Sequence, residues 1–429
     1  MIKNETVADI GNHLASHLPS YLDLLQQMVA INSFTANARG VNALGDLTAA
    51  AFAELGFTAE RIQAAEHIYG QHLVLSRPGQ SRNGHIPPTI GLVSHLDTVY
   101  PAAEESENDF YWRPSGQRIY GPGTYDIKGG TVTILMMLSA LRAAAPALFD
   151  SVHWVVLLNA AEEALVPDFG ELALAHLGPS AIAALVFEGG EINGHQPGSY
   201  KLVVARKGMA RFRLFVEGKA AHAGTAHQEG ANAIVQLAEL IGRVAELTDY
   251  ERQVTFNVGT IAGGTVINRV PHQAVASVEM RAFSPAVFTQ RMEEMQRLAQ
   301  QVTIRSAAGA YPCKINVEVL GTWQPWAPNI PSRELCALWS DVASTLDLHV
   351  ESEERGGLSD GNWTWLQVPT IDGLGPDGGN AHCSERSADG TKDQEFILPS
   401  SFVPKAHLNA VAVMRLVESY YRSGTKSSS

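Results

Sequence analysis

Apolar segments that end in acidic or histidine residues constrain the fold of this 429-residue chain more than any other feature. The run 154–161 is almost entirely apolar, as is typical of a buried strand, and Glu162 and Glu163 follow it directly. Two carboxylates at the end of a buried strand are costly unless a metal ion or strong partners offset their charge. Because neighbouring residues of an extended chain point to opposite sides, one glutamate can bind a metal while the other acts as general base.

The same arrangement recurs elsewhere in the chain, where apolar or Gly-rich segments carry or precede a residue that can bind a metal. These segments are 89–94 with His95 and Asp97, 120–130 with Asp126 at its centre, 181–187 with Glu188, and 368–371 with His382. In open α/β sheets, functional sites form at the carboxyl ends of the strands. The pattern therefore predicts that these side chains lie together in one site.

The candidate metal ligands are two histidines and three acids: His95, Asp126, Glu163, Glu188 and His382. Such a set suits zinc, and cobalt or manganese would also fit. Five ligands are too many for one catalytic zinc with an open position, but they fit two metals that share a bridging carboxylate. Asp97, two residues after His95, would hold the imidazole in the correct tautomer.

The charge and cysteine content of the chain limit its partners and its compartment. Lys and Arg number 31 against 44 Asp and Glu, which gives a net charge of -13 and argues against a nucleic-acid or membrane partner. The three cysteines show no CxxC spacing and fit a reducing compartment. Since the first residues lack the charged-then-apolar pattern of a signal peptide, we expect a cytoplasmic location.

The periodicity of the chain predicts two kinds of domain. A length of 429 residues favours two domains over one core. Up to Glu188, helix patterns alternate with apolar strands, which predicts an α/β catalytic domain with a mostly parallel sheet covered on both faces. From about Arg206, strands that alternate apolar and polar residues predict an inserted α+β domain of four strands and two helices. The predicted division is 1–205 and 320–429 for the catalytic domain and 206–319 for the insert.

The motifs of the chain, taken in order, resemble those of a known family. They are Ser-His-Leu-Asp-Thr-Val at 94–99, Gly-Pro-Gly-Thr-Tyr-Asp-Ile-Lys-Gly-Gly at 121–130, Glu162-Glu163, Phe187-Glu188, Ala-His-Ala-Gly at 221–224, Gly-Gly-Leu-Ser-Asp-Gly-Asn at 356–362 and Ala381-His382. The chain resembles the two-zinc exopeptidase and deacylase family of glutamate carboxypeptidase, acetylornithine deacetylase, succinyl-diaminopimelate desuccinylase and aminoacylase. It is most similar to the glutamate carboxypeptidase branch, and the resemblance covers nearly the whole chain.

The resemblance implies a zinc-peptidase catalytic domain whose insert serves as lid and dimerisation domain, and hence a homodimer. It implies two Zn²⁺ ions per chain, for which Co²⁺ or Mn²⁺ may substitute. His95 and Glu188 would hold one ion, Glu163 and His382 the other, and Asp126 would bridge both. The same family pattern makes Glu162 the general base and places a cis peptide bond directly after Asp126.

For substrate binding, the resemblance implies roles for four residues, most of them in the insert. His222 would stabilise the oxyanion across a dimer interface, although the residues alone favour a structural or solvent-facing histidine. Asn268 and Arg281 would bind a substrate carboxylate, with Gly357 in a loop that borders the cleft. For Arg281, an ordinary strand-edge ion pair is the alternative.

The expected function is that of a metallocarboxypeptidase, a dizinc hydrolase that cleaves an amide bond next to a free carboxylate. Its substrate would be a small peptide or an N-acyl amino acid. The first alternative is a small-molecule N-deacylase that removes an acetyl or succinyl group. A more remote alternative is a catalytically dead binding protein on the peptidase fold, which a missing ligand or base would support; the sequence contains all of them.

Overall fold

The protein is described here by a computed structural model that covers residues 3–82, 84–191, 198–309 and 311–424. Its helices are α1 (Asn4–Val29), α2 (Ala38–Ala53), α3 (Ala102–Glu107), α4 (Gly129–Ala144), α5 (Pro146–Phe149), α6 (Asp168–Leu177), α7 (Ala233–Ala245), α8 (Pro285–Arg297), α9 (Ile330–Thr345), α10 (Gly361–Thr364) and α11 (Phe402–Gly424). Its strands are β1 (Thr58–Gln63), β2 (Gln71–Arg77), β3 (Thr89–His95), β4 (Arg113–Ser115), β5 (Arg118–Tyr120), β6 (His153–Asn159), β7 (Ala181–Val186), β8 (Gly190–Glu191), β9 (Ser199–Arg206), β10 (Gly208–Glu217), β11 (Thr255–Gly263), β12 (Gln273–Ala282), β13 (Lys314–Trp323), β14 (His349–Arg355), β15 (Thr370–Ile371), β16 (Asp377–Gly379) and β17 (Phe396–Ile397).

The chain divides into two compact units. The first unit comprises Met1–Val204, Asn329–Glu354 and Ser359–Ser429, and the second comprises Ala205–Pro328 and Arg355–Leu358. The second unit thus includes a short segment that lies far from the rest of it in sequence. That segment is tied in by the backbone hydrogen bond from the Lys207 N–H to the Arg355 carbonyl, 3.1 Å long.

The first unit is built around a six-stranded sheet with the order β1-β2-β6-β3-β7-β15. Strands β6, β3, β7 and β15 run parallel, whereas β1 and β2 are antiparallel at one edge. All seven residues of β3 are buried, as expected for a parallel strand covered on both faces. The predicted α/β fold with a parallel-rich sheet is therefore confirmed, and the carboxyl ends of β3, β6 and β7 meet at one edge.

Helix α4 forms part of the core of this unit and packs against α1 and α11. Among the described residues, only the segment Thr124–Ala144 is long and apolar enough to cross a membrane. Within the protein, 78% of its apolar window is buried. This burial is typical of a core helix in a globular protein.

The second unit contains a four-stranded antiparallel sheet with the order β11-β12-β10-β13, against which α7 and α8 pack. Along β10, buried residues such as Phe212 and Leu214 alternate with exposed ones, so that one face builds the core. The predicted set of four strands and two helices is confirmed. Strand β11 lies at one edge of the sheet, and most of its residues are exposed.

Candidate metal centre

The parallel strands of the first unit carry the predicted site residues to one edge of the sheet. His95 is the last residue of β3, and in the parallel register it pairs with Asn159, the last residue of β6. Glu162 and Glu163 follow β6 shortly afterwards, and Glu188 follows β7. Because the strands run parallel, their carboxyl ends bring these side chains together.

Two further ligand candidates come from loops. Asp126 lies in the irregular turn Thr124–Lys128 that precedes α4, and the Asp126–Ile127 peptide bond is cis, as the resemblance implied. His382 follows β16 and has a positive φ of 64°, a conformation that is uncommon for residues other than glycine. Residues with a φ of this kind cluster at functional sites.

The predicted ligands form two groups that share one carboxylate. The His95 Nε2 atom lies 3.1 Å from Asp126 Oδ1 and 3.8 Å from Glu188 Oε1. The His382 Nε2 atom lies 3.3 Å from Asp126 Oδ2 and 3.2 Å from Glu163 Oε1. Each oxygen of Asp126 therefore faces a different histidine, which is the arrangement that two metals with a bridging carboxylate require.

The electrostatics of the cluster also fit bound cations. Burial raises the pKa of Glu162 well above its usual range, and the nearby carboxylates of Glu163 and Asp360 add to this rise while His95 opposes it. Burial likewise raises the pKa of Glu163, with a further contribution from Asp126. Buried carboxylates that repel one another are stabilised in their charged form by a cation between them. Potential ligand atoms from both groups, on His95, Asp126 and Glu163, lie within 4.8 Å of one another, which is close enough for them to hold metal.

The pKa shifts of His382 and Asp126 also reflect the charge of the site. Hydrogen bonds with Asp126 and Glu163 raise the pKa of His382 to about 11. Although burial opposes it, hydrogen bonds with His382 and His95 hold the pKa of Asp126 well below its usual range. The site thus favours positive charge between its carboxylates. Oxygen and imidazole donors of this kind are those that zinc, cobalt and manganese accept.

Asp97 does more than the sequence predicted. Its Oδ1 atom lies 3.3 Å from His95 Nδ1, and the same imidazole nitrogen lies 3.0 Å from the Asp97 carbonyl oxygen. In addition, Oδ1 accepts the backbone N–H of Glu162 and Oδ2 that of Glu163, each at 3.1 Å. One buried carboxylate therefore contacts the His95 imidazole and fixes the backbone of both glutamates.

Two of the predicted substrate residues are held together within the second unit. The Asn268 carbonyl accepts the backbone N–H of Ala223 at 2.9 Å, which joins its loop to that of His222. The exposed His222 ring accepts backbone N–H groups from Gly224 and Thr225 at Nδ1, both at 3.1 Å. Since Nδ1 is an acceptor, the neutral ring carries its proton on Nε2. His222 is therefore a hydrogen-bond donor, as an oxyanion-stabilising group must be.

Arg281 and Gly357 belong to another part of the same unit. Arg281 Nε donates to Glu279 Oε1 at 2.6 Å, and Nη1 donates to the Gly356 carbonyl at 3.0 Å. The strand-edge ion pair that we considered as the alternative for Arg281 is thus present. The Gly357 carbonyl accepts a hydrogen bond from Arg206 at 3.1 Å. A guanidinium has five N–H donors, so these contacts still leave Arg281 donors for a carboxylate.

Sequence reasoning missed a buried glutamate that supports Asp126. Glu395 is fully buried, and its Oε1 atom accepts the backbone N–H groups of Tyr125 at 2.8 Å and Asp126 at 3.1 Å. Its Oε2 atom accepts the Tyr100 hydroxyl at 2.7 Å. Burial raises the pKa of Glu395 to about 7, and Asp126 adds to this rise. No spacing in the sequence links Glu395 to the Asp126 loop.

Asp360, the aspartate of the motif at 356–362, is a second supporting residue for which the sequence predicted no role. It is buried and accepts a hydrogen bond from the Asn159 side chain at 2.9 Å. Asn159 in turn accepts the backbone N–H of Ala161 at 3.0 Å. Asp360 therefore supports the segment that leads to Glu162.

Comparisons with known proteins show which sequences and structures this chain is similar to. Residues 204–306 match the peptidase dimerisation domain of the M20 family. The chain is 28% identical over 372 residues to carboxypeptidase G2 of Pseudomonas sp. (strain RS-16), in an alignment that covers 85% of this chain and 83% of that protein. It is 23% identical over 361 residues to succinyl-diaminopimelate desuccinylase of Sphingopyxis alaskensis, in an alignment that covers 82% of this chain and 89% of that protein.

The fold has solved counterparts as well. A dinuclear metal-binding peptidase of the M20 family from Bacillus subtilis superposes with a TM-score of 0.62 at 14% identity, and the superposition covers 94% of this chain and 99% of that one. The motifs, the matched domain and the two long alignments all lead to the same group of proteins. The predicted resemblance to the exopeptidase and deacylase family of glutamate carboxypeptidase and succinyl-diaminopimelate desuccinylase is therefore confirmed.

Proposed function

We propose that this protein is a metal-dependent carboxypeptidase-like hydrolase that cleaves an amide bond next to a free carboxylate. The observation that carries this proposal is the position of Asp126, whose two oxygens face His95 and His382 separately, with Glu162 in the same cluster. The substrate would be a small peptide or an N-acyl amino acid that releases its C-terminal amino acid. Similarity to carboxypeptidase G2 over most of both chains supports this choice.

Two zinc ions per chain are the proposed cofactors, with cobalt or manganese as substitutes. His95 and Glu188 would hold one ion, Glu163 and His382 the other, and Asp126 both. When bound, such ions polarise the scissile carbonyl and make water more acidic. Outside this ligand set, Asp97 contacts the His95 ring and Glu395 holds the Asp126 backbone.

Glu162 is the proposed proton carrier. Because burial raises its pKa, the carboxylate is a better base than an exposed glutamate. It would take a proton from the attacking water and return it to the nitrogen of the leaving amine. The N–H on His222 Nε2 would donate to the developing oxyanion. Asn268 and Arg281 would bind the substrate carboxylate, for which a planar guanidinium is well suited, and Gly357 would lie in the loop that borders the cleft.

Removal of an acetyl or succinyl group from a small molecule is the second candidate. The similarity to succinyl-diaminopimelate desuccinylase over 82% of this chain favours it. Both candidates need the same metal centre and the same base. They differ in which side of the scissile amide carries the group that the protein recognises.

A substrate panel after metal reconstitution tests the function. We expect the zinc- or cobalt-loaded protein to release free amino acid from dipeptides and N-acyl amino acids, and a chelator to abolish this release. N-acetyl and N-succinyl diamino acids form the second arm of the panel. Preference for that arm would support the deacylase, and inactivity on both arms despite bound metal would contradict a hydrolytic function.

We further propose that the protein has a cytoplasmic location and that it forms a homodimer. The dimer would form through the domain at 204–306. The second unit offers an exposed edge strand, β11, in which Ile261 is 60% exposed. On α7, Ile234 and Val235 are 37% and 44% exposed. An edge strand and a helix with exposed apolar residues are suited to a two-fold interface between copies of one chain.

A complementation experiment checks whether His222 acts on the partner subunit. We expect His222→Ala to reduce turnover strongly and to leave metal binding unchanged, because a lost oxyanion donor costs about 10²–10³-fold in kcat. Inactive His222→Ala chains mixed with inactive Glu162→Gln chains should then regain part of the activity, since one site of a mixed dimer keeps both residues. Verified heterodimers without recovered activity would show that His222 does not act in trans.

A further inference from the structure

The segment that carries the two adjacent glutamates is held by side chains rather than by the sheet. Strand β6 ends at Asn159, yet the next four backbone N–H groups all have side-chain acceptors. Asn159 accepts the N–H of residue 161, and Asp97 accepts those of residues 162 and 163. The first of the four, the Ala160 N–H, donates to Nδ1 of His72 at 3.1 Å. Of the three acceptor residues, His72 is the one that lies farthest from this segment in sequence.

The contact with Ala160 fixes the chemical state of His72. A backbone N–H can only donate, so Nδ1 of His72 must accept and cannot carry a proton. The neutral ring then has its proton on Nε2, which lies 3.2 Å from Asp168 Oδ2 and donates to it. A doubly protonated imidazolium could not accept the Ala160 N–H. The geometry therefore requires the neutral Nε2–H tautomer.

Asp168 is itself held in place. It is the first residue of α6, where a carboxylate is favoured by the helix dipole. Its Oδ2 atom also accepts the backbone N–H of Ala65 at 2.6 Å. The His72 side chain is 1% exposed and lies against the Phe169 ring, with ring centroids 5.5 Å apart. The imidazole consequently has one orientation available to it.

We propose that His72 is a positioning residue for the glutamate pair, which it aligns by accepting the Ala160 N–H, and that Asp168 keeps it in the tautomer that this task requires. The inference rests on the proposed function, because Glu162 and Glu163 are its general base and one of its ligands. Neither His72 nor Asp168 belongs to the proposed metal ligands or to the proposed substrate-binding residues. Their effect passes through the backbone between Ala160 and the glutamates. It therefore changes the positions of the Glu162 and Glu163 side chains.

Three variants separate positioning from simple packing. In His72→Asn, the side-chain oxygen of the asparagine lies at about the place of the histidine Nδ1, so the acceptor for the Ala160 N–H is kept. His72→Leu fills the buried space without an acceptor. Asp168→Ala leaves His72 in place but removes the partner of its Nε2–H, and because this aspartate side chain is 25% exposed, the substitution is tolerated more easily by the fold.

The readouts are kcat, KM, metal affinity by competition with a chelator, and the absorption spectrum of the cobalt-loaded protein. In His72→Leu we expect metal affinity to fall by ~10-fold or more, as when outer partners of metal ligands are removed. We expect kcat to fall by ~10²-fold, since small displacements of catalytic groups have effects of that size, with KM nearly unchanged. His72→Asn should recover most of both losses, and Asp168→Ala should lie between the two.

Equal losses in His72→Leu and His72→Asn would overturn the proposal, as would wild-type values in His72→Leu. If His72→Leu does not fold, the test rests on Asp168→Ala. The proposal is overturned if that variant keeps the metal affinity, the cobalt spectrum and the kcat of the wild type. Thermal unfolding of each variant identifies a loss of activity that comes from instability alone. A failure of the proposed function is distinct, because it would appear in the wild-type protein as inactivity on every substrate. In that case the metal affinities of the His72 and Asp168 variants would still test the positioning role.

Discussion

Asp126→Ala is expected to release both metal ions and to abolish hydrolysis. The reason is that the two oxygens of Asp126 face His95 and His382 separately, so each ion loses a ligand at the same time. The wild-type protein should bind about two equivalents of zinc, as dinuclear hydrolases do, and the variant close to none. Metal analysis after dialysis, together with turnover at added zinc, measures both effects.

Asp126→Asn is the matched control for the shape of the side chain. The amide keeps the volume and one oxygen, so it should retain metal better than alanine but less well than the wild type. Circular dichroism and thermal unfolding in the presence of a chelator show whether each variant is folded without metal. One tightly bound ion that survives Asp126→Ala would contradict the shared carboxylate.

Glu162→Gln is expected to reduce turnover by at least ~10²-fold, the usual size of a general-base effect, while metal content stays intact. Glutamine preserves the shape of the side chain but cannot accept the proton of the attacking water. The backbone N–H of residue 162 still donates to Asp97, so the segment keeps its position. Single-turnover rates and metal analysis of the same preparation check both parts of the prediction.

The neighbouring substitution Glu163→Gln provides the comparison. Glu163 Oε1 lies 3.2 Å from His382 Nε2 and belongs to the proposed ligand set, so this variant should lose affinity for one of the two ions. The two glutamates thus separate a proton-transfer defect from a metal-binding defect. The opposite result, with metal lost in Glu162→Gln and retained in Glu163→Gln, would exchange the two assignments.

Much of the candidate centre could be predicted because parallel strands place their ends at a common edge. His95 and Glu188 follow apolar runs that became β3 and β7, and the run before Glu162 became β6. Once a parallel sheet is predicted, the proximity of these side chains follows from its geometry. The alternation of apolar and polar residues in the segments that form β10 and β12 predicted the second sheet for a similar reason.

The proposed substrate-binding residues were harder to interpret from the sequence. Arg281 has the residue type that a carboxylate site needs, but its pairing with Glu279 and its bond to the Gly356 carbonyl depend on side-chain directions in the folded protein. The segment Arg355–Leu358 joins the second unit although almost all of that unit lies within Ala205–Pro328. Linear spacing carries no information on such a contact between distant segments.

Periodicity and residue type are local properties, so the sequence alone was enough to predict the parallel strands and the candidate ligands that end or follow them. The groups that hold the backbone around these proposed ligands become visible only in the folded protein. Glu395 holds the N–H of Asp126, and His72 holds that of Ala160, across large separations in the chain. A buried N–H must find an acceptor, but any side chain with an acceptor atom that the fold brings within reach can provide it. The identity of that acceptor is therefore set by packing and not by a pattern in the sequence.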